Sequence, residues 1–408
     1  MPGSPRLFSL CRGLARQHRL SLVAHCSSLD RLQSFSKDPA ATGVFQDVTV
    51  LPDPPPPTWW RKQEHRLRFA PHFLEKYRSP DYYRGVLDLI AQRLTEPDPV
   101  ELLYVDGLVM SQYAVAPHPV PVVVDLHDSP TLLYGRLLAM ERDPSKRLPL
   151  FLETRCIARW ERSLGSSCDL IITNSPVDEA VVKRVARSSR TMTIPNGVDT
   201  EYFAPGANEP DRNKLVFTGV MDYGPNEDAV VHFCEQIFPL IRRAMPDVEF
   251  WAVGSDPSAR VRGLARDAGV HVTGKVDDVR PYVRSAAVFV CPLRSGAGMK
   301  NKILAAMAMR RPVVATSLSL EGLEARPDEH VLMADRADDF AAQVTRLLQD
   351  QRLAQRLGAS AYELAIERYS WNARGEMLET ALRSVGSSAG TGAHSRALRA
   401  PTSGVPAH

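Results

Sequence analysis

A basic, glycine-containing segment is the part of this sequence best suited to hold an anion. The segment RSGAGMKNK follows the apolar run AAVFVCP and precedes the apolar segment ILAAMAM. Gly296 and Gly298 allow the backbone to approach a ligand closely, and Arg294, Lys300 and Lys302 supply positive charge. The segment that follows predicts a helix whose first free N–H groups point at the same place. The pattern predicts a diphosphate site, and the alternative is an ordinary turn with solvated cations, because short glycine motifs are common.

Other polar and glycine residues also follow apolar runs. His127 and Asp128 end PVVVDLHD, Gly219 follows KLVFT, and Glu321 with Gly322 comes after PVVATS. Because ligands of open α/β sheets bind beyond the carboxyl ends of the strands, these residues are expected to line the same site. Structural alternatives stay open for each set. The sequence DSP at Asp128 is a helix start signal, Gly219 suits a plain strand-turn-helix, and EGL suits a loop cap.

The acidic and histidine residues of DLHD could also mimic a metal site. Asp125, His127 and Asp128 offer ligand atoms, but the number of ligands is small for a metal. A D-x-D pattern at a strand end is not found. We therefore expect no metal and no cofactor.

Alternating segments predict the architecture that positions these residues. Twelve short apolar runs rich in β-branched residues alternate with helical patterns, six in each half of the chain. Such runs predict parallel sheets covered on both faces, and two sets predict two doubly wound α/β domains. A polar segment rich in Pro, Gly and Asn places the boundary near Ala204–Asn213. We therefore predict domains at 1–204 and 205–383, and a disordered tail at 384–408.

Several segments resemble the family-4 glycosyltransferases, which have the GT-B fold. The resemblance rests on GMKNKILAAMAMRRPVVAT followed by EGL, LVFTGVMDYGPNEDAV, IPNGVD at 194–199 and RYSW at 368–371. It implies two Rossmann-like domains, with a nucleoside diphosphate sugar held by the second and the acceptor by the first. It also implies catalysis without a metal, retention of anomeric configuration, and a position for His127 and Asp128 near the transferred sugar. Lys302 and Arg294 would stabilise the departing diphosphate, with Gly219, Gly296, Gly298, Lys300, Glu321 and Gly322 as further donor contacts.

The chain also resembles the bacterial sugar transferases of exopolysaccharide and PEP-CTERM systems. That resemblance implies a glycan or polyprenyl-linked acceptor in polysaccharide biosynthesis. Residues 59–78 carry six Lys/Arg, two Glu and interleaved aromatics, which would suit contact with the inner membrane surface. The alternative is a solvated helix that packs its aromatics on the domain.

The sequence departs from the family pattern at several positions. Two glutamates of the family, eight positions apart, correspond to Ala297 and Ala305, and the second usually binds the donor ribose. Arg310 stands where a glycine with positive φ is usual. The strand that should precede the first helix is absent, which favours a start upstream of Met1. A relative that only binds nucleotide or partners is therefore an alternative to an active enzyme, as is an epimerase of the same fold.

Composition limits the other classes of function. The formal net charge is only +3 over 408 residues, which argues against a nucleic-acid binder. Six scattered cysteines without a C-x-x-C motif predict reduced thiols, and no apolar run reaches 18 residues. We therefore predict a cytoplasmic enzyme with a peripheral membrane contact as an option.

Overall fold

The fold contains the predicted alternation of strands and helices. The computed structural model describes residues 5–26, 43–54, 56, 58, 70–187, 190–206, 209–296 and 298–396. A strand is found in each of the twelve apolar runs. They are β1 Ser21–Cys26, β2 Asp47–Pro52, β3 Leu103–Asp106, β4 Val122–His127, β5 Leu170–Thr173, β6 Thr191–Thr193, β7 Asp211–Thr218, β8 Glu249–Val253, β9 Val270–Val272, β10 Ala286–Cys291, β11 Val313–Ala315 and β12 Leu332–Met333.

Helices connect these strands. The α-helices are α1 Pro5–Leu14, α2 Pro80–Leu94, α3 Pro130–Met140, α4 Pro144–Ser167, α5 Pro176–Ala186, α6 Gly224–His232, α7 Phe238–Ala244, α8 Ala259–Gly263, α9 Arg280–Ser285, α10 Asn301–Ala308, α11 Ala337–Gln349, α12 Gln351–Tyr369 and α13 Trp371–Arg396. A π-helical turn at Phe233–Ile237 joins α6 to α7. Short 3₁₀ helices lie at His72–Leu74, Lys76–Arg78, Met110–Ala114, Leu264–Arg266 and Leu318–Leu320.

The second half of the chain forms one six-stranded parallel sheet with the order β12-β11-β10-β7-β8-β9. The order reverses direction around β7 and β10, where a doubly wound sheet places its ligand. Leu215–Phe217 of β7 and most of β10 are buried, with Phe217 and Phe289 fully inside the core. Nearly continuous apolar strands are buried because helices cover both faces of the sheet. The carboxyl end of β10 therefore delivers the glycine-containing segment to the switch point.

The first half of the chain carries two parallel sheets instead of one. One has the order β1-β2 and the other the order β3-β4-β5-β6. In the described part of the chain no strand joins these two sheets, which differs from the single sheet expected of a doubly wound domain. The four-stranded sheet is the one that carries His127, at the carboxyl end of β4.

The two halves are connected by both the boundary segment and the last helix. The chain passes from β6 to β7 between Thr193 and Asp211, an interval that contains the predicted boundary at residue 204. Helix α13 then returns and packs against α1, where Gly13 and Gly375 allow close approach. Val198 also pairs with Ser370 in an isolated bridge. RYSW therefore begins the returning helix, as the resemblance implied.

Helix α13 corrects the predicted disordered tail. It continues past Ser384 to Arg396, and Val385 is buried against the first domain. Once a docked helix is formed, each further residue adds a hydrogen bond without a new nucleation cost. Disorder predicted from Ser384 is thus wrong as far as Arg396, and 397–408 lie outside the described residues.

Candidate active site between the two domains

The glycine-containing segment forms a tight loop between β10 and α10. Gly296 and Gly298 have φ values of 118° and 68°, which side chains rarely adopt. Helix α10 begins at Asn301, and Lys300 occupies its N-cap position. Ala297 lies outside the described residues. The loop thus has the backbone shape that the sequence predicted, with the first free N–H groups of a helix directly after it.

Lys302 is the most perturbed cation of the loop. Its ammonium donates to Asn226 Oδ1 over 2.7 Å and lies 4.0 Å from the centre of the Phe217 ring. Burial lowers the pKa of Lys302 to about 8. Gly219 lies against the same group, because a Cβ atom there would be 3.0 Å from Lys302 Nζ and 2.7 Å from Asn226 Nδ2. Gly219, Asn226 and Lys302 are therefore brought together, and Asn226 binds the lysine instead of capping a helix.

Lys300 and Gly298 lie at the contact between the domains. Lys300 is buried, donates to the Gly298 carbonyl, and has a pKa lowered by burial despite the nearby Asp128 carboxylate. A Cβ atom at Gly298 would lie 1.8 Å from Asp128 Oδ1. Asn174 Nδ2 donates to the same carboxylate oxygen over 2.6 Å. Only glycine therefore allows Asp128 of the first domain to pack directly on the loop of the second.

His127 has a positive backbone φ angle, and a hydrogen bond holds its ring in place. Its φ is 66°, and its Nε2 lies 2.8 Å from Asp106 Oδ1. Burial lowers the pKa of His127, but the hydrogen bond to Asp106 and the charge of Asp125 outweigh it, so the pKa is raised. The ring is thus held by a carboxylate that stabilises its protonated form. A non-glycine residue with positive φ at a strand end is a strain that functional sites often hold.

The metal-like cluster differs from the one considered in the sequence. Asp106, Asp125 and His127 offer ligand atoms within 4.8 Å of one another. The carboxylate of Asp128 is not part of this cluster and packs against Gly298 instead. Arg6 Nε binds Asp125 Oδ2 over 2.8 Å, and Asp125 is completely buried. The positive charge that a metal would supply to Asp125 is therefore supplied by the guanidinium of Arg6.

A chain of hydrogen bonds extends from Arg6 to the start of helix α10. Arg6 Nη1 donates to Asn196 Oδ1 over 2.8 Å, and Asn196 Nδ2 donates to Asn301 Oδ1 over 2.9 Å. Arg6 and Asn196 were not predicted from the sequence as site residues. The only signal was the position of Asn196 within IPNGVD, and nothing in the spacing of Arg6 indicated a partner far along the chain.

Residues of the first domain contact the turn at Glu321 and Gly322 in the second domain. Arg136 Nη2 donates to Glu321 Oε1 over 2.7 Å, and Arg136 Nη1 donates to the Gly296 carbonyl over 2.7 Å. Gly322 packs against Ser175 of the first domain. Arg136 was missed in the sequence because a single arginine on a helix has no distinguishing pattern. The structure places it where it links the Gly296 and Glu321 turns to α3.

The Arg136 contact leads to a first prediction. Both side chains are only partly exposed, so the pair should favour domain closure by about 1 kcal/mol, or about fivefold. Arg136→Gln should shift the unliganded protein towards an open form with a larger radius of gyration by small-angle X-ray scattering. Glu321→Gln should expand it similarly, and the double variant should expand no further. Additive expansion, or no change in either single variant, would contradict the contact.

Arg294 is engaged elsewhere. Its Nε donates to Asp228 Oδ2 over 3.0 Å, and the side chain is exposed beside α6. The structure therefore brings together Lys300, Lys302, Gly219 and the Glu321 turn, and holds Arg294 on Asp228. Its contact with a diphosphate stays a prediction.

Two buried acids support the segment after Asp128. Glu161 Oε1 accepts from Ser129 Oγ over 3.0 Å and from Thr131 N over 3.2 Å, while Asp178 Oδ1 accepts from Ser129 N over 2.7 Å. Burial raises the pKa of both acids. A glutamate among arginines on a helix would ordinarily be interpreted as a surface charge, but Glu161 is fully buried. Its helix turns this position inward, where it fixes the start of α3.

Comparison with known proteins assigns the chain to a family. Residues 5–202 match the family model described as Glycosyltransferase Family 4, and residues 212–350 match the model described as Glycosyl transferases group 1. The chain belongs to the family-4 glycosyltransferases. The narrower resemblance to PEP-CTERM and exopolysaccharide enzymes stays a prediction.

Curated relatives of this family-4 chain include a phosphatidyl-myo-inositol mannosyltransferase of Mycobacterium tuberculosis. It is 29% identical over an alignment of 245 residues, and the match covers 53% of this chain and 64% of the relative. A protein of the cps region of Klebsiella pneumoniae is 19% identical over 255 residues, or 60% of this chain and 64% of the relative. The aligned part thus spans less than two thirds of the length of these curated relatives.

Solved structures show that the family-4 chain has the GT-B fold. HepE of Anabaena in complex with UDP-glucose has a TM-score of 0.63 at 13% identity, covering 94% of this chain and 97% of HepE. Sucrose-phosphate synthase of Thermosynechococcus elongatus has a TM-score of 0.61 at 18% identity, covering 78% of this chain and 80% of that one. At these identities the likeness establishes the fold.

The structure shows where two residues that depart from the family-4 sequence pattern, Arg310 and Ala305, lie in this chain. Arg310 has a φ of 57°, so the left-handed position predicted there is confirmed, and its guanidinium lies over the Tyr362 ring. Ala305 is partly exposed on α10, one turn after Asn301 and three residues after Lys302. Residues three and four apart share a helix face. A side chain at position 305 would thus project from the face that carries Lys302.

Proposed function

We propose that this protein transfers a sugar from a nucleoside diphosphate sugar to a glycan or lipid-linked acceptor, with retention of configuration and without a metal. The reaction would serve polysaccharide biosynthesis on the cytoplasmic side of a membrane. The donor would lie on the second domain and the acceptor on the first. His127 and Asp128 would contact the transferred sugar, and Lys302 would neutralise charge on the departing diphosphate.

One observation carries this proposal. The loop with Gly298, Lys300 and Lys302 lies at the carboxyl end of β10 and faces Asp128 at the end of β4. Lys302 is buried with a lowered pKa, and among the residues that the structure describes no carboxylate bonds to its ammonium, so it would gain most from an anionic ligand. A doubly charged diphosphate supplies such an anion. An acceptor that enters from the first domain would then reach the sugar at the domain contact.

The names of similar proteins support the choice of substrates. HepE was solved with UDP and with UDP-glucose, so a uridine nucleotide is the first donor to test. The mycobacterial relatives are named for mannosyl transfer to phosphatidyl-myo-inositol, so a lipid-linked acceptor is the first acceptor to test. Within the described residues no helix has the length and apolar character needed to cross a bilayer.

A thermal-shift titration with UDP, GDP, ADP and their sugar conjugates tests the donor site. One nucleotide at about a hundred times its Kd should stabilise the protein by roughly 3 kcal/mol, raising Tm by about 5 °C or more. Incubation of that nucleotide sugar with lipid and glycan acceptors should then release the free nucleoside diphosphate. Equal, negligible shifts with all nucleotides would sink the proposal.

Ala305 favours a second candidate, a relative that binds nucleotide without transferring sugar. The donor glutamate of the family is absent at this position, which would weaken donor binding. A thermal shift with a nucleotide but no turnover with any acceptor would support this candidate. Release of nucleoside diphosphate would exclude it. An epimerase of the same fold would instead change the sugar of the free donor without an acceptor.

A further inference from the structure

Helix α4 presents apolar side chains to solvent. Leu148, Phe151 and Leu152 are 62%, 44% and 46% exposed, and their spacing of three and four residues places them on one side of the helix. Met140, at the end of α3 just before α4, is 47% exposed. Single exposed apolar residues are ordinary, but a contiguous group on one helix marks an interaction site.

Arginines continue the same side of α4 towards its carboxyl end. Arg155, Arg159 and Arg162 are exposed, at further intervals of three and four residues. In the described part of the protein none of the three is within ion-pair distance of a carboxylate, and Arg155 lies over the Phe151 ring. We call the set Leu148, Phe151, Leu152, Arg155, Arg159 and Arg162 the α4 face.

The acids of α4 do not neutralise this face. Glu161 is fully buried and binds Ser129 and Thr131 of the first domain. Glu153 accepts hydrogen bonds from the backbone and the ring of His72. Both carboxylates of the helix are thus used inside the fold, and the outward charge of the α4 face is entirely positive.

We propose that the α4 face docks on an anionic phospholipid surface. Apolar side chains next to arginines suit the boundary between headgroups and acyl chains, where both kinds of contact are available at once. Arginines near such a surface are attracted to anionic headgroups. Lys146 and Arg147, exposed in the first turn of α4, add to the same attraction.

The positive charge of the α4 face favours a membrane over a second copy of this chain as its binding partner. A symmetric dimer through the α4 face would place Arg155, Arg159 and Arg162 opposite a second set of arginines. No exposed carboxylate of α4 is available to pair with them, since Glu153 and Glu161 are engaged internally. Like charges across an interface oppose association. An anionic lipid surface provides the missing negative charge.

Helix α3 connects the α4 face to the contact between the two domains. Helix α3 begins just after Asp128, carries Arg136 and ends at Met140 beside α4. Eleven residues of helix span about 16 Å, so the α4 face lies within a short distance of the domain contact. A headgroup acceptor held at the membrane could therefore reach the site. This last link rests on the proposed function, whereas binding to vesicles does not.

Cosedimentation with vesicles tests the α4 face. The full chain is mixed with vesicles of phosphatidylcholine alone and with vesicles in which a third of the lipid is phosphatidylglycerol. It should sediment with the anionic vesicles only. Arg155→Gln/Arg159→Gln/Arg162→Gln should partition about a hundredfold more weakly, because each of the three arginines contributes about fivefold near an anionic surface. Leu148→Ser/Phe151→Ser/Leu152→Ser should also lose binding, because the insertion of apolar groups is removed.

A matched variant controls for net charge. Arg326→Gln/Arg336→Gln/Arg346→Gln removes three exposed arginines of the second domain and should sediment like the unchanged protein. Equal loss in this control would overturn the α4 face as a specific site, as would failure of the unchanged protein to bind anionic vesicles. Concentration-dependent dimers abolished by the serine variant, without vesicle binding, would replace the membrane by a second copy. The thermal shift with nucleotide is measured on every variant as well. It shows whether the donor site works independently of whether the variant binds vesicles.

Discussion

Lys302→Met should remove most of the affinity for nucleoside diphosphates while making the unliganded protein more stable. A buried charge-assisted hydrogen bond contributes about 1.5–3 kcal/mol, so the dissociation constant should rise about tenfold to a hundredfold. Methionine keeps most of the apolar stem of the side chain, but it ends one atom short of the ammonium and loses the cation contact with the Phe217 ring. Isothermal titration with the nucleotide identified by thermal shift measures the loss.

The gain in stability follows from the pKa of Lys302. The folded-state pKa of about 8 is lower than the ordinary 10.5, so the charged amine is disfavoured in the folded protein. The penalty is fully present below about pH 8, where both states are protonated, and it vanishes as pH rises towards the unfolded value. Allowing about 1 kcal/mol for the lost hydrogen bond to Asn226, the variant should be about 2 kcal/mol more stable near neutral pH.

The same variant has a pH signature and a control. The advantage of Lys302→Met in thermal unfolding should shrink between about pH 8 and pH 10, because the unchanged protein then sheds its buried charge. Lys275→Met changes an exposed lysine of the same domain and should alter neither nucleotide affinity nor Tm. Unchanged affinity in Lys302→Met would show that the diphosphate is held elsewhere.

Ala305→Glu should strengthen donor binding by about tenfold to a hundredfold. Position 305 lies on the face of α10 that carries Lys302 and is partly exposed, so a carboxylate there can be accommodated and partly neutralised. A carboxylate that accepts hydrogen bonds from ribose hydroxyls would contribute about 1.5–3 kcal/mol. Titration calorimetry with the nucleotide and with its 2′-deoxy analogue measures both the gain and its dependence on the hydroxyl.

Ala305→Gln separates charge from shape in this test. Glutamine has the same length but donates and accepts without charge, so it should recover only a small part of the gain. A gain in Ala305→Glu that is lost with the 2′-deoxy analogue would show an intact but weakened donor site. No gain in a variant with unchanged Tm would mean that another residue already holds the ribose.

Local patterns determined most of the architecture. Every β-branched run forms a strand, because strands buried on both faces need continuous apolar residues whatever surrounds them. The positive φ of Arg310 was likewise predictable, since the chain must turn sharply out of α10. The end of α13 was not, because its last turns are an extension of a helix docked on α1 and have no apolar period of their own.

The candidate site was only partly contained in the sequence. Gly298, Lys300 and Lys302 follow a strand in one continuous segment, so their meeting needed only the rule that strand ends face the ligand. Arg6, Arg136 and Glu161 act through partners far along the chain. Arg6 reaches Asp125 over 119 positions and Arg136 reaches Glu321 over 185. No local pattern encodes such pairs. The type and order of the elements were thus determined by the sequence alone. The pKa of Lys302, the ring position of His127 and the contact between domains were decided by tertiary packing, because burial and distant charges exist only once the chain has folded.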